Sequence, residues 1–123
     1  MKYLLLFGGT AEYQNSFGAM SPEEQQRGLD TVVAWIDAHH DKLGAHDRLM
    51  PAETATTVRF SDGGRGAATV VKDGPFLEGK ELLGGYCEID VANLDEAIEL
   101  AKTWPARGAV EIRPIMQAPL TVR

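Results

Sequence analysis

Two side chains in this sequence are suited to proton transfer. Asp73 closes an apolar stretch and is followed by Gly74-Pro75-Phe76, which is turn chemistry. A carboxylate projecting from such a turn into an apolar cleft has a raised pKa and acts as a general acid or base. The same residue can instead close an Asx turn by accepting a backbone N–H, and the two roles are compatible. His40 is the second candidate. On a helical wheel it falls with Leu29, Val33, Ile36 and Leu43, so it is expected to face a sheet. An imidazole, with an ordinary pKa of about 6.5, can relay a proton to Asp73 if the fold brings them together. The alternative for His40 is a core-edge histidine satisfied by one hydrogen bond. His39 lies on the flank of the stripe and His46 lies beyond Gly44. Adjacent helical positions diverge by about 100°, so His39 and His40 cannot easily share an ion. The HExxH pattern is missing, and neither a metal nor another cofactor is expected.

Further candidates sit on extended segments. Tyr86, Glu88 and Asp90 alternate with Cys87, Ile89 and Val91, so the two sets occupy opposite faces of a strand. The preceding Gly84-Gly85 suits close approach by a ligand or another strand, or a bulge with a packed tyrosine. Lys80 and Glu81 can form a charged rim. Glu111 and Arg113 share a face of the last strand, where arginine suits an anionic substrate group or an interface ion pair. Cys87 reads as a buried small hydrophobe. Gly8-Gly9 and Gly63-Gly64 form neither a dinucleotide fingerprint nor a P-loop.

These residues need elements to position them. Residues 2–8 read as a strand whose unbroken apolar run suggests cover on both faces. Residues 9–20 lack periodicity and read as a loop, with at most a helical turn. Ser21-Pro22-Glu23-Glu24 combines an N-cap, proline in the first turn and a capping-box glutamate. The helix it opens is expected over 22–43, with its apolar stripe on Leu29, Val32, Val33, Ile36 and Leu43 and a stop at Gly44. An extended segment lies within 46–61, best defined at 54–60, and it pairs as a hairpin with 68–72. Residues 73–76 form a turn and 77–82 a loop. The next strand covers 85–91. A helix capped at Asn93 carries Leu94, Ala97, Ile98 and Ala101 and ends at Trp104-Pro105. The last strand covers 109–116, with Pro114 marking an edge or a bulge. The order β-α-β-β-β-α-β predicts one α+β domain over 1–123, a ferredoxin-like split β-α-β protomer with an antiparallel sheet and its helices on one face. A second copy is the simplest cover for the other face.

Composition narrows the function. The 123 residues include 12 Lys and Arg against 18 Asp and Glu, a net charge of −6. Nucleic acid is not an expected partner, since its binders carry a basic footprint. The amino-terminal apolar run is too short for a secretion signal or a membrane span, so neither a membrane partner nor export is expected and the default address is the cytoplasm. The lone Cys87 excludes an intramolecular disulfide framework.

The stretch from Thr69 to Asp90 resembles the YCII-related family, in the branch with the Asp-Gly-Pro-Phe (DGPF) motif. Asp73, Gly74, Pro75 and Phe76 match that motif, and Lys80-Glu81, Gly84-Gly85-Tyr86 and Asp90 match the family pattern on its carboxyl-terminal side. Met1–Leu6 is similar to the family's opening strand, Asp95–Ile98 to its second helix and Val110–Ile115 to its last strand. The segment Tyr13–Met20 departs from the pattern. The resemblance implies a dimeric α+β barrel. It implies little about activity: most of the branch has no assigned reaction, some members are encoded near extracytoplasmic-function sigma factors, and distant relatives include a dehydrochlorinase with a His–Asp pair proposed as catalytic.

The residues and the resemblance support two functional readings. The first is a cofactor-independent acid–base enzyme, or a small-molecule-binding homologue of one, for an aromatic or enolisable ligand. Asp73 and His40 would transfer protons in isomerisation or elimination, and Gly74, Pro75, Phe76, Lys80, Tyr86 and Arg113 would bind the substrate. The second is a non-catalytic ligand-binding or regulatory homodimer in a sigma-factor circuit.

Overall fold

The computed structural model describes residues 1–60, 68–71 and 81–117. Strand β1, Lys2–Thr10, carries the apolar opening run. Its odd members Tyr3 and Leu5 are buried, while Leu4 and Leu6 are only half-buried. Helix α1, Ala11–Gly18, starts at once, with the Thr10 side chain accepting from the Tyr13 amide. The sequence predicts a loop here. The helix buries none of its residues, so no apolar periodicity marks it in the sequence.

Helix α2, Pro22–His39, begins as expected. Ser21 Oγ accepts from Glu24 N at 3.2 Å, and Glu24 Oε1 accepts from Ser21 N at 3.4 Å. Gln25 Nε2 donates to Phe17 O and ties α2 back to α1. The helix stops four residues before the expected end. A 3-10 turn, His40–Lys42, leads into strand β2, Leu43–Arg48. Leu43 does pack against the core, but from a strand rather than from the helix. The core-facing stripe also sits elsewhere on α2. Trp35 is its one fully buried residue, Gln25, Leu29, Val32, Ile36 and His39 are half-buried, and Val33 is 62% exposed.

A 3-10 turn, Ala52–Thr54, precedes β3, Thr57–Phe60, which pairs antiparallel with β4, Ala68–Val71, in a separate hairpin. The expected hairpin is therefore present. Strand β5, Glu81–Asp90, starts four residues earlier than the alternation predicts. Helix α3, Leu94–Lys102, is capped by Asn93, whose side chain accepts from Glu96 N at 3.0 Å. It buries Ala97 and Leu100, whereas Leu94 is 48% exposed. Strand β6, Ala109–Pro114, ends on its proline at an edge of the sheet, where the missing N–H costs no ladder bond.

The main sheet has four strands in the order β2-β5-β1-β6, all neighbours antiparallel. Strand β5 lies between β1 and β2, and β1 between β5 and β6. Each of the two β-α-β units is thus split by a strand of the other, an α+β arrangement. Trp35 from α2 and Ala97 and Leu100 from α3 share one core with Tyr3, Leu5, Cys87, Ile89 and Val91. Both long helices therefore cover the same face. Phe7 stacks on Trp104 with centroids 3.9 Å apart, and Trp35 meets both rings edge-on. No described helix is long and apolar enough to cross a membrane.

Candidate functional site

With α2 and α3 on one face, the other face of the sheet carries the even residues of β1 and β5. The register aligns them in rows. Asp47, Tyr86, Leu6 and Glu111 lie side by side across all four strands. Glu88, Leu4 and Arg113 form the next row. Lys2 reaches into that row, its Nζ 3.4 Å from Glu88 Oε1. The centre of the face is apolar and half-buried, and its periphery is charged with both signs. Arg113 and Glu111 are paired to each other. An anionic ligand at Arg113 would therefore displace Glu111, and Asp47 and Glu88 add negative charge nearby.

Tyr86 is half-buried at the middle of this face. Its hydroxyl has no hydrogen-bond partner among the described residues, which leaves a donor and an acceptor available. The glycine before it serves strand packing. A Cβ on Gly85 would stand 3.1 Å from Asp47 O, so the Gly84-Gly85 pair admits β2 rather than a ligand at this point.

Beneath Tyr86, on the helix side, Cys87 is buried. Burial, helped by the Glu88 carboxylate, pushes its thiol up from 9.0 to about 11. It is a neutral packing group at physiological pH, as its strand face suggests.

The histidines differ from expectation. His40 is exposed at the end of α2, and its Nδ1 is 2.9 Å from Asp37 O. It opens the 3-10 turn and does not join the stripe facing the sheet. His39 takes that position instead: it is half-buried, its ring centroid 5.2 Å from that of Trp35. His46 is opposite Cys87 on edge strand β2, exposed, with Nδ1 2.9 Å from Gly44 O. Among the described residues no three His, Cys, Asp or Glu side chains are grouped as metal ligands.

Of the expected site residues, Tyr86 and Arg113 share the sheet face but lie in successive rows with β1 between them, and His40 is on the helical side of the molecule. Asp73, Gly74, Pro75, Phe76 and Lys80 lie outside the described residues. Leu4, Leu6 and Asp47 do not stand out in the sequence. The even spacing of Leu4 and Leu6 with Lys2 is the available signal, hidden by a run in which every second residue is also apolar.

Comparison with known proteins agrees with the fold. The model of the YCII-related domain matches residues 1–119. An uncharacterized protein of Rhizobium meliloti (strain 1021) is 40% identical over 105 residues, covering 79% of this chain and 80% of its own length.

Proposed function

This chain belongs to the YCII-related domain family, and on that premise we propose that it is a homodimeric small-molecule-binding protein whose exposed sheet face becomes one wall of a ligand cavity. One observation carries the reading. Leu4, Leu6 and Tyr86 form an apolar centre on the face opposite the helices, ringed by Lys2, Glu88, Glu111 and Arg113. Two such ferredoxin-like sheets facing each other would make an α+β barrel, and the mixed signs at the rim give each copy both partners for an isologous contact. An aromatic or enolisable ligand would lie against Leu4 and Leu6, with the Tyr86 hydroxyl hydrogen-bonding its oxygen.

Asp73-Gly74-Pro75-Phe76 assigns the chain, in this proposal, to the DGPF branch. That segment and Lys80 lead directly into β5, the strand that carries Tyr86. Asp73 is the proposed general base, taking a proton from a carbon next to a carbonyl and exchanging it with solvent; His40, on the helical side, has no part in that step. Isomerisation and elimination both begin with that step.

The test is light scattering of the parent at micromolar concentration beside Leu6→Glu. A dimer is expected for the parent, and a folded monomer by circular dichroism for the variant. A monomeric parent overturns the reading. A thermal-shift screen of enolisable and halogenated aromatic acids then locates the ligand. Tyr86→Phe is expected to weaken the best hit about tenfold, the worth of one hydrogen bond.

A further inference from the structure

We propose that the cleft between α1 and the turn entering β6 binds a small organic acid carrying a hydrogen-bond donor beside its carboxylate, the pattern of an α-hydroxy or α-amino acid. The cleft holds about 230 Å³ and is lined by Thr10, Glu12, Tyr13, Ser16 and Arg107, all of them polar.

Glycines build it. A Cβ on Gly9 would stand 2.8 Å from a Tyr13 ring carbon, so the tyrosine ring lies directly against the β1 backbone. Gly108 has φ +106°, and a Cβ there would come within 2.0 Å of Gly8 O. Only glycine lets that turn close onto the end of β1. Tyr13 and Arg107, the neighbour of Gly108, are therefore brought to the cleft from two elements by backbone contacts. Thr10 spends its hydroxyl capping α1 at the Tyr13 amide, which fixes the first turn of that wall.

Charge then selects the ligand. Arg107 and Glu12 line the same cleft without pairing to each other or to any other described residue. Arg27 and Arg48 are likewise without a salt bridge among the described residues, so what distinguishes Arg107 is its place in this cleft. Its planar fork matches a carboxylate bidentately. Glu12, an acceptor when ionised, matches an adjacent hydroxyl or ammonium group. The Tyr13 and Ser16 hydroxyls can complete the shell. A simple carboxylate satisfies Arg107 alone, and an inorganic anion is repelled by Glu12. This cleft shares no residue with the sheet face proposed above, so either proposal can fail without the other.

The experiment tracks backbone amide resonances of the full chain during titration with L-lactate, L-alanine, propionate and inorganic phosphate. Lactate or alanine is expected to displace the resonances of residues 10–16 and 107–108 saturably, and the stronger of the two identifies the donor as hydroxyl or ammonium. Propionate and phosphate are expected to bind at least tenfold more weakly. Arg107→Gln is expected to weaken the preferred acid at least tenfold, Arg107→Lys less than that, and Glu12→Gln to bring it down to the level of propionate. Both positions are exposed, and parent-like melting curves would show that the variants fold. The proposal is overturned by equal binding of propionate or phosphate, by indifference to Arg107→Gln, by shifts confined to other residues, or by no saturation at tens of millimolar ligand.

Discussion

The indole Nε1 of Trp35 donates to Thr103 Oγ1 at 2.8 Å, and Thr103 Oγ1 in turn donates to Leu100 O at 2.6 Å. This relay joins the buried face of α2 to the end of α3 across 68 residues of sequence. Trp35 is only 6% exposed, so its N–H has little other recourse. Thr103→Val keeps the shape and deletes the acceptor. It is expected to cost about 1–2 kcal/mol, several degrees in melting temperature, and to shift the tryptophan emission. Thr103→Ser retains the oxygen and should melt near the parent. Equal melting of the valine and serine variants would count against the relay.

The close seam at the end of β1 makes a second expectation. Gly108→Ala must abandon φ +106° and clear a backbone oxygen 2.0 Å from the new Cβ. No side chain can yield there, and the expected loss is roughly 3–5 kcal/mol. Gly18, the last residue of α1, has open space around its would-be Cβ. Gly18→Ala is expected to be neutral or to stabilise by up to about 1 kcal/mol. Urea unfolding of the two variants checks both, and a Gly108→Ala protein as stable as the parent would remove the close approach.

The same contrast between local and long-range contacts decides what is legible in the sequence. The capping patterns at Ser21 and Asn93 mark helix starts through local hydrogen bonds, so both starts are readable. The alternation from Tyr86 to Val91 shows which side of β5 is buried, because a sheet with one covered face demands that pattern. Where tertiary contacts decide, local signals mislead. Leu43 continues the α2 stripe at a spacing of seven, yet it enters the core from β2. Val32 and Val33 are both apolar, and only packing around Trp35 settles which one faces inward. That choice rotates the stripe enough to exchange His40 for His39. Strand β2 reads Gly-Ala-His-Asp-Arg after Leu43, with nothing β-like in it. It is a strand because β5 offers a ladder, and an edge strand needs few buried side chains.

The exchange of histidines is itself testable. His39 packs its ring near Trp35, a contact worth about 0.5–1.5 kcal/mol for aromatic pairs. His39→Ala is expected to lose about that much and to alter tryptophan emission. His40→Ala removes an exposed ring bonded only to Asp37 O and should stay within about 0.5 kcal/mol of the parent. Thermal unfolding monitored by fluorescence separates them. A larger loss for His40→Ala would return that residue to the core-facing stripe.

Cys87 sets a pH dependence whose sign is fixed by its surroundings. Burial and the Glu88 carboxylate raise the folded-state thiol to about 11 from an ordinary 9.0. The folded protein therefore holds this proton more tightly than the unfolded chain. The contribution is present in full below pH 9 and is lost as the pH rises toward 11. A shift of that size corresponds to about 2–3 kcal/mol at its limit. Lysines and tyrosines titrate in the same range, so the informative quantity is the difference between parent and Cys87→Ala. The stability advantage of the parent in urea is expected to shrink steadily from pH 8 to pH 10.5. A constant advantage across that range would mean that the thiol ionises as easily folded as unfolded. Thiol labelling at pH 8 gives an independent check: slow in the native protein, fast in urea, because the reactive thiolate is suppressed by the same burial.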